Sequence, residues 1–534
     1  MKHLMHMTLV TVVFAVLPLT YTSLASETES DIGHFWQISD IHLDLDYSTD
    51  GDPENSCHKD IFPKNLTKLG EFGYPTCSSP WILVQGAVDA MKTIKAKPDF
   101  VLWTGDTSPK LPKEQLSQKK ILDLIQRVTV LLNTTFPGIY LFPVLGNHDV
   151  YPVHQMPPSS KSTYYESVLK DGKWTSLLSE KEQETFVKGG YYSRMIKPGL
   201  TVAVLNTNLY YYRNELTKDL NDPAAQFDWL RKLLQAEKSV SHSVLVVGHV
   251  PPGSSELLSS INWFYPKFNE NYLKVLKDYS STVKAQIFAH EHEDTYRLLT
   301  SDKGSIFGSA FIQSSVTPFM GMEKAVNPSI RLYEYDRDSG KIIDFCEYFL
   351  DFMQANKLKK AEWKLRYQAT KEYGIPDLSF DSLRKLTDSF SDDKSENFKK
   401  YFANLDSGYL KATCDADCKK LQLCAIEHVG YSSYNACLSK EEKLTIDPNT
   451  VETSLDVNST ITDPSYNFSS HPPVNSAKSH HHHPMPIYIF YILATLSALA
   501  IVFFMASAII CLRRKREPRY VRVVSLADMS AGYQ

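Results

Sequence analysis

The sequence predicts an α/β domain in which layered sheets are covered by helices. Two observations carry this: short apolar, β-rich runs recur from His34 to about Tyr335, and helical patterns lie between several of them. A third places chemistry on it, because most of the runs end in a polar residue able to bind a metal.

The runs are "HFWQIS", "DFVLWT", "GIYLFPVL", "LTVAVLN", "SVLVVG" and "KAQIFA", all short and rich in β-branched and aromatic residues. Helical patterns fill Trp81 to Lys95 and Ala224 to Gln235. From Cys346 to about Leu444, stretches such as "KKAEWKLRYQATKEYG" read as a small helical C-terminal subdomain closed by a cysteine cluster. Residues 445–486 are rich in Ser, Thr, Asn and Pro and read as a flexible stalk; the run His480 to His483 is taken as solvated tract within it.

Both ends carry addresses. Lys2, an apolar run from Met7 to about Leu19 and small residues at Ser23 and Ala25 predict a signal peptide over residues 1–25. Ile487 to Leu512 is apolar throughout and long enough to cross a bilayer, and Arg513, Arg514, Lys515 and Arg516 follow at once. Positive residues stay cytoplasmic, so the expectation is a type I single-pass protein with its domain outside or in a lumen and a tail over 513–534. The α/β domain is placed at 33–340, the helical subdomain at 341–444 and the transmembrane helix at 487–512.

The chain of 534 residues is 43% hydrophobic with a formal net charge of −4, which gives no hint of the basic face a nucleic-acid polymer would want, and none is expected as a partner. A monomeric ectodomain is expected. In an oxidising compartment Cys57 and Cys77 read as one disulfide, and Cys414, Cys418, Cys424 and Cys437 as two more. A zinc site in the late cluster is the competing reading, disfavoured by the extracellular context; Cys346 is left free. Sequons at Asn65, Asn133, Asn458 and Asn467 fit a glycosylated surface.

The strand ends hold the chemistry. "FWQISDIHLD" ends with Asp40 and His42, "FVLWTGDTS" with Asp106, and "FPVLGNHD" with Asn147 and His148. "VLVVGHVPP" ends with His249 and "QIFAHEHED" with His290 and His292. In an open α/β sheet, sites collect at the carboxyl ends of strands, so one topological fact would bring them together. Asp40 and His42, two apart on one strand, are expected to share a face, as are His290 and His292. Two carboxylates, four imidazoles and one amide oxygen suit two borderline divalent cations with Asp106 bridging; the imidazoles favour zinc over magnesium or calcium. Taken singly, D-x-H, H-x-H or GNHD is usually a surface pair or a turn, and only the ordered set outweighs that bland reading.

The set D-x-H … G-D … G-N-H-D … G-H … H-x-H resembles the calcineurin-like metallophosphoesterases. "FWQISDIHLDLDY", the early cysteine-bounded loop, "WTGDTSP", "VLGNHDVYP" and "GHVPPG" narrow the resemblance to the acid sphingomyelinase-like phosphodiesterases, over roughly residues 34 to 440. The resemblance implies a four-layer metallophosphoesterase sandwich, two mixed sheets flanked by helices. It implies two Zn2+ ions, one held by Asp40, His42, Asp106 and His292, the other by Asp106, Asn147, His249 and His290. A hydroxide held by the pair would attack phosphorus while His148 protonates the leaving oxygen, with Asp149 either orienting the His148 ring or capping the turn.

Three departures from the family pattern stand out. Lys110 occupies the position of a usual histidine four residues after the G-D aspartate; with an ordinary pKa of ~10.4, a lysine is a poor proton donor but a good phosphate-binding cation. Ala289 stands where glycine is usual, and the short span between the expected cleavage site near Ala25 and the first strand at His34 leaves no room for the saposin module expected ahead of the catalytic domain in acid sphingomyelinase. Purple acid phosphatases are set aside because Pro109 occupies the place of their tyrosine.

The function expected is extracellular hydrolysis of small phosphodiester or pyrophosphate bonds, in nucleotides or nucleotide-choline type compounds. Tyr210, Tyr211, Tyr212, Trp263 and Phe264 are candidates to stack a base or cover a headgroup, with core packing as the plainer reading. The alternatives are a lipid phosphodiesterase of the sphingomyelinase type and a membrane-anchored receptor with structural metals.

Overall fold

A computed structural model describes residues 31–59, 68–159, 162–301, 304–321, 324–392, 394–410 and 413–439. The expected signal peptide, stalk, transmembrane helix and tail lie outside the described residues, as do the sequons at Asn65, Asn458 and Asn467. Among the described residues no helix is long and apolar enough to cross a membrane. Asn133 is exposed on the helix Gln118–Thr135.

Among the described residues fourteen strands form the sheets: β1 (Ile32–Ile38), β2 (Phe100–Trp103), β3 (Tyr140–Pro143), β4 (Tyr192–Lys197), β5 (Leu200–Val204), β6 (Ser243–Val247), β7 (Val283–His292), β8 (Thr295–Thr300), β9 (Ile306–Ser314), β10 (Phe319–Gly321), β11 (Lys324–Ala325), β12 (Ser329–Asp336), β13 (Ile342–Phe349) and β14 (Lys364–Gln368). The first sheet runs β14-β13-β12-β1-β2-β3, the second β4-β5-β6-β7-β9-β8, and β10 pairs with β11. Both large sheets are mixed. Strands β1, β2 and β3 run parallel, while β12, β13 and β14 add antiparallel on the other side of β1. In the second sheet β5, β6, β7 and β9 are parallel, with β4 and β8 antiparallel at the edges.

All six runs read from the sequence are strands: β1, β2, β3, β5, β6 and β7. Strands β2, β5 and β6 are buried along their whole length, as expected of strands covered on both faces. The sheets meet face to face. Gln37 of β1 donates through Nε2 to the Phe288 carbonyl of β7 at 2.8 Å, and the rings of Phe311 (β9) and Tyr333 (β12) lie 6.2 Å apart. Helix Trp81–Ile94 packs on the first sheet, and helices Gln226–Ser239 and Pro266–Asp278 pack on the second.

The purely helical reading of 341–444 is corrected. That segment opens with β13 and β14, which complete the first sheet, and only afterwards becomes helical. Strand β14 is an edge strand with exposed Lys364 and Leu365, so its polar composition imitated a helix surface. The later helices Phe380–Ser389, Glu396–Asn404 and Ala416–Glu427 follow. The disulfides are Cys57–Cys77, Cys414–Cys418 and Cys424–Cys437; Cys346 is unpaired. Three disulfides suit an oxidising, extracellular or lysosomal setting.

Buried ion networks tie the late segment to the rest. Arg331 on β12 is gripped by Asp294 and by Glu347, the latter at 2.7 Å, and Tyr367 of β14 donates to the other Asp294 oxygen at 2.5 Å. Arg297 on β8 sits likewise between Glu256 and Glu291. Each arginine is fully buried, so a carboxylate on either side is what makes its charge tolerable.

Candidate metal centre

The loops leaving β1, β2, β3 and β6 and the last residues of β7 carry ligand-type side chains into one place. Ligand atoms of Asp40, His42 and His292 lie within 4.8 Å of one another, and so do those of Asp106, His249 and His290. Asp106 joins the two groups: its Oδ2 is 3.4 Å from His42 Nε2 and its Oδ1 is 3.4 Å from His249 Nε2. Asn147 completes the second group, with Oδ1 3.0 Å from His249 Nε2.

The route to this convergence differs from the expected one. Asp40 and His42 do not alternate on a strand; β1 ends at Ile38, and both residues lie in the loop beyond it. Each has a left-handed backbone, φ 47° for Asp40 and 42° for His42. Asp106 (52°), His290 (77°) and His292 (61°) are left-handed too. Non-glycine residues hold such dihedrals at a cost of order 1–3 kcal/mol each, and they cluster where function over-determines the backbone. His290 and His292 are at the end of β7, where its register against β9 shifts.

Glycines let the loops touch. A Cβ on Gly146 would lie 2.1 Å from the backbone nitrogen of Asp106, and Gly105 has φ 96°. Only glycine admits that approach of the β2 and β3 loops.

The surroundings prepare the imidazoles as ligands. His42 Nδ1 lies 2.7 Å from the Ser108 carbonyl, and His249 Nδ1 lies 2.7 Å from the Thr104 carbonyl. A carbonyl only accepts, so each Nδ1 carries the proton and each Nε2 turns inward. His42 Nε2 and His292 Nε2 then face each other at 3.2 Å, which favours a cation between them. Asp40 Oδ2 accepts from Ser39 Oγ at 2.8 Å, while its buried Oδ1 has no hydrogen bond and lies 3.2 Å from His292 Nε2. These residues fit two cations.

Charge follows the same pattern. Burial raises the Asp106 carboxyl, but His249, His148 and His42 outweigh it and hold it well below the usual range. Burial pushes His249 down, yet Asp106 and Asp40 prevail and hold it up at about 9. Burial, reinforced by Lys110, drives His42 well down; burial and His249 do the same to His290. Two other acidic groups among the described residues already have protein cations: Lys120 sits 2.8 Å from Asp46 beside the Asp44–His58 pair, and Arg297 serves Glu256 and Glu291.

His148, Lys110 and Asp149 are placed as follows. The His148 backbone N–H donates to Asp106 Oδ1 at 2.8 Å, its ring is 5.0 Å from that of His42, and its Nδ1 is buried without a partner. Burial pushes Lys110 down to about 8 against the pull of Asp106 and Asp40. Its Nζ lies 3.3 Å from His292 Nε2 and over the Phe319 ring. Asp149 does not touch the His148 ring. Its Oδ1 accepts from the N–H of Thr107 and Ser108 at 2.8 and 3.1 Å, and its Oδ2 from Gly146 at 2.9 Å. Of the two roles considered, it takes the cap, stapling the β2 and β3 loops together.

The centre opens on a cleft of about 440 Å³. Tyr211, Tyr212, Arg213 and His154 line it with Trp263, while Tyr210 and Phe264 are fully buried core. Tyr211 and Trp263 brace the His290 ring at 5.1 and 4.7 Å. Leu111, Pro112, Leu257, Leu258, Ile261 and Phe319 give the cleft an apolar rim. His154 is the residue the sequence reading missed: it closes no strand, and its motif, "VYPVHQ", carries no ligand spacing.

The chain matches two family models, the calcineurin-like phosphoesterases over residues 33–294 and the acid sphingomyelin phosphodiesterase C-terminal region over 306–444. It is 37% identical over 415 residues to the human acid sphingomyelinase-like phosphodiesterase 3b, covering 76% of this chain and 90% of that one. It is 36% identical to the human cyclic GMP-AMP phosphodiesterase SMPDL3A, over 77% of this chain and 90% of that one. Sphingomyelinase phosphodiesterase C of Dictyostelium discoideum is 33% identical, over 80% and 97%. The chain therefore belongs to the acid sphingomyelinase-like phosphodiesterases, hydrolytic enzymes built on the calcineurin-like phosphoesterase fold.

Proposed function

We propose that this chain is an extracellular or luminal two-zinc phosphodiesterase acting on small phosphodiesters or pyrophosphates of nucleotide type. Asp40, His42, Asp106 and His292 hold one ion; Asp106, Asn147, His249 and His290 hold the other. The observation that carries this is Asp106, whose two oxygens each face an inward imidazole nitrogen at 3.4 Å. A single carboxylate between two ligand groups is the geometry of a bridged pair.

Two cations in such a site supply Lewis-acid polarisation of the phosphoryl oxygens and acidify a water. The protein does the rest. Lys110 offers a positive charge beside the His292 edge of the centre, where a non-bridging phosphoryl oxygen docks. His148 has Nδ1 buried, so Nε2 is the nitrogen that meets substrate and passes a proton to the leaving oxygen. Burial lowers His148, and Asp106 pulls it up; a phosphodiester anion beside the ring acts in Asp106's direction. The cleft walls exclude water, with Tyr211, Tyr212 and Trp263 available to stack a base. No protein nucleophile is needed, and no phosphoenzyme is expected. The chain is tethered through residues 487–512 with its sequons glycosylated.

The apolar rim favours a second substrate class, a lipid phosphodiester of the sphingomyelin type, whose chains would lie along Leu257, Leu258 and Ile261. The names of the relatives span both classes, cyclic GMP-AMP and sphingomyelin. The test is turnover of bis-p-nitrophenyl phosphate with and without chelator, in the wild type and His148→Ala, followed by a cyclic dinucleotide, cytidine diphosphate-choline and sphingomyelin in detergent. Chelator-sensitive turnover with preference for the nucleotides supports the proposal. Zinc bound without turnover of any of these contradicts it and supports the receptor reading.

A further inference from the structure

We propose that His154 is a positioning residue for Asn147, fixing which end of its amide faces the metal centre. The inference rests on the two-cation reading, because it gives Asn147 a ligand's role and asks what makes that role possible.

The two ends of an asparagine amide are nearly equal in size, so packing does not choose between them; hydrogen bonding does. Asn147 Oδ1 lies 3.0 Å from His249 Nε2, and Asn147 Nδ2 lies 3.1 Å from His154 Nδ1. An NH2 group only donates, so His154 Nδ1 accepts and the ring's proton sits on Nε2. With the amide reversed, an NH2 would face the cations, and the ring would keep its hydrogen bond only by moving its own proton from Nε2 to Nδ1. The His154 acceptor thus aims the Asn147 oxygen inward, the service that outer hydrogen-bond partners give a ligand.

His154 is itself held for the task. Its backbone N–H donates to the Asn147 carbonyl at 2.8 Å, so main chain and side chain grip the same residue. Its φ is 72°, a left-handed conformation that a residue with a Cβ adopts at a cost. Its ring stands edge-on to His148 at 5.2 Å and to Tyr211 at 5.6 Å, which fixes the plane in which the acceptor lies.

The test compares the full chain as wild type, His154→Ala, His154→Asn and His154→Gln. An asparagine places an amide oxygen near the Nδ1 position; a glutamine is of similar bulk to histidine but reaches past it. Chelator-stripped protein is titrated with zinc alone, and stoichiometry and dissociation constants are read by calorimetry, with thermal unfolding of the metal-free forms alongside. The wild type is expected to bind two ions. His154→Ala and His154→Gln are expected to bind one as the wild type does and the other about 10–100-fold more weakly. His154→Asn is expected to recover the wild-type value, and the metal-free melting temperatures to agree among all forms that fold. If Ala does not fold, the Asn–Gln contrast decides. Two ions bound with wild-type affinity by Gln, or an Asn variant as weak as Gln, overturns the role of His154 alone. A wild type that binds fewer than two ions overturns the two-cation reading, and this inference with it.

Discussion

The ammonium Nζ of Lys110 lies 3.3 Å from Nε2 of His292, against the group formed with Asp40 and His42. A fixed positive charge there opposes a cation on those ligands and attracts a phosphoryl oxygen. The two effects have opposite signs.

Lys110→Met therefore separates them. Zinc binding at the Asp40–His42–His292 group should tighten by ~10-fold as a like charge is removed, and kcat/KM for a phosphodiester should fall ~10–100-fold as an anion contact is lost. Calorimetry and steady-state kinetics on one preparation read both. Weaker zinc binding would show that the lysine is not a competing charge.

His148→Ala should depend on the leaving group. An alkoxide needs its proton in the transition state far more than p-nitrophenolate does, so the loss should reach ~10²–10⁴-fold for an alkyl diester and stay smaller for the nitrophenyl one. Equal losses would mean that His148 acts otherwise than as proton donor.

Asp149→Ala should cost stability first. The variant leaves the buried N–H groups of Gly146, Thr107 and Ser108 without their acceptor, at about 3 kcal/mol or more in total. Urea unfolding of the metal-free protein checks this, and His148→Ala, with no hydrogen-bond partner of Nδ1 to orphan, should change stability by less than ~1 kcal/mol. An Asp149→Ala variant as stable as the wild type would contradict the cap.

The strand ends were readable because every ligand follows an apolar run, and the sheet topology alone gathers them. The geometry at those ends was not readable: a two-residue spacing implied a strand at Asp40 and His42, where the backbone is left-handed instead. Asp149 was ambiguous because a carboxylate beside an imidazole in sequence says nothing about which neighbour it bonds. His154 lies in a turn with no periodicity to flag it. Strands β13 and β14 stayed hidden because Glu347 and Lys364 read as helix surface, although Glu347 is fully buried against Arg331. Charge patterns identify partners only after folding has brought them together.

That Glu347 carboxyl gives a pH signature. Burial pushes it up to about 7, against the opposing pull of Arg331. A group whose folded pKa is raised contributes stability that is fully present below its unfolded value and lost as pH rises through the folded one. The stability of the wild type relative to Glu347→Gln should therefore rise as pH falls through about 7, read as a change of a few degrees in the difference between their melting temperatures. Scanning calorimetry of both at several pH values checks it; identical slopes would contradict it.

Asp106 should bridge two ions. Anomalous diffraction at the zinc edge from crystals of the zinc-loaded protein tests it most directly. Two peaks are expected roughly 3.5–4 Å apart, one among Asp40, His42 and His292, the other among Asn147, His249 and His290, with Asp106 touching both. A single peak, or a second one away from Asp106, would contradict it.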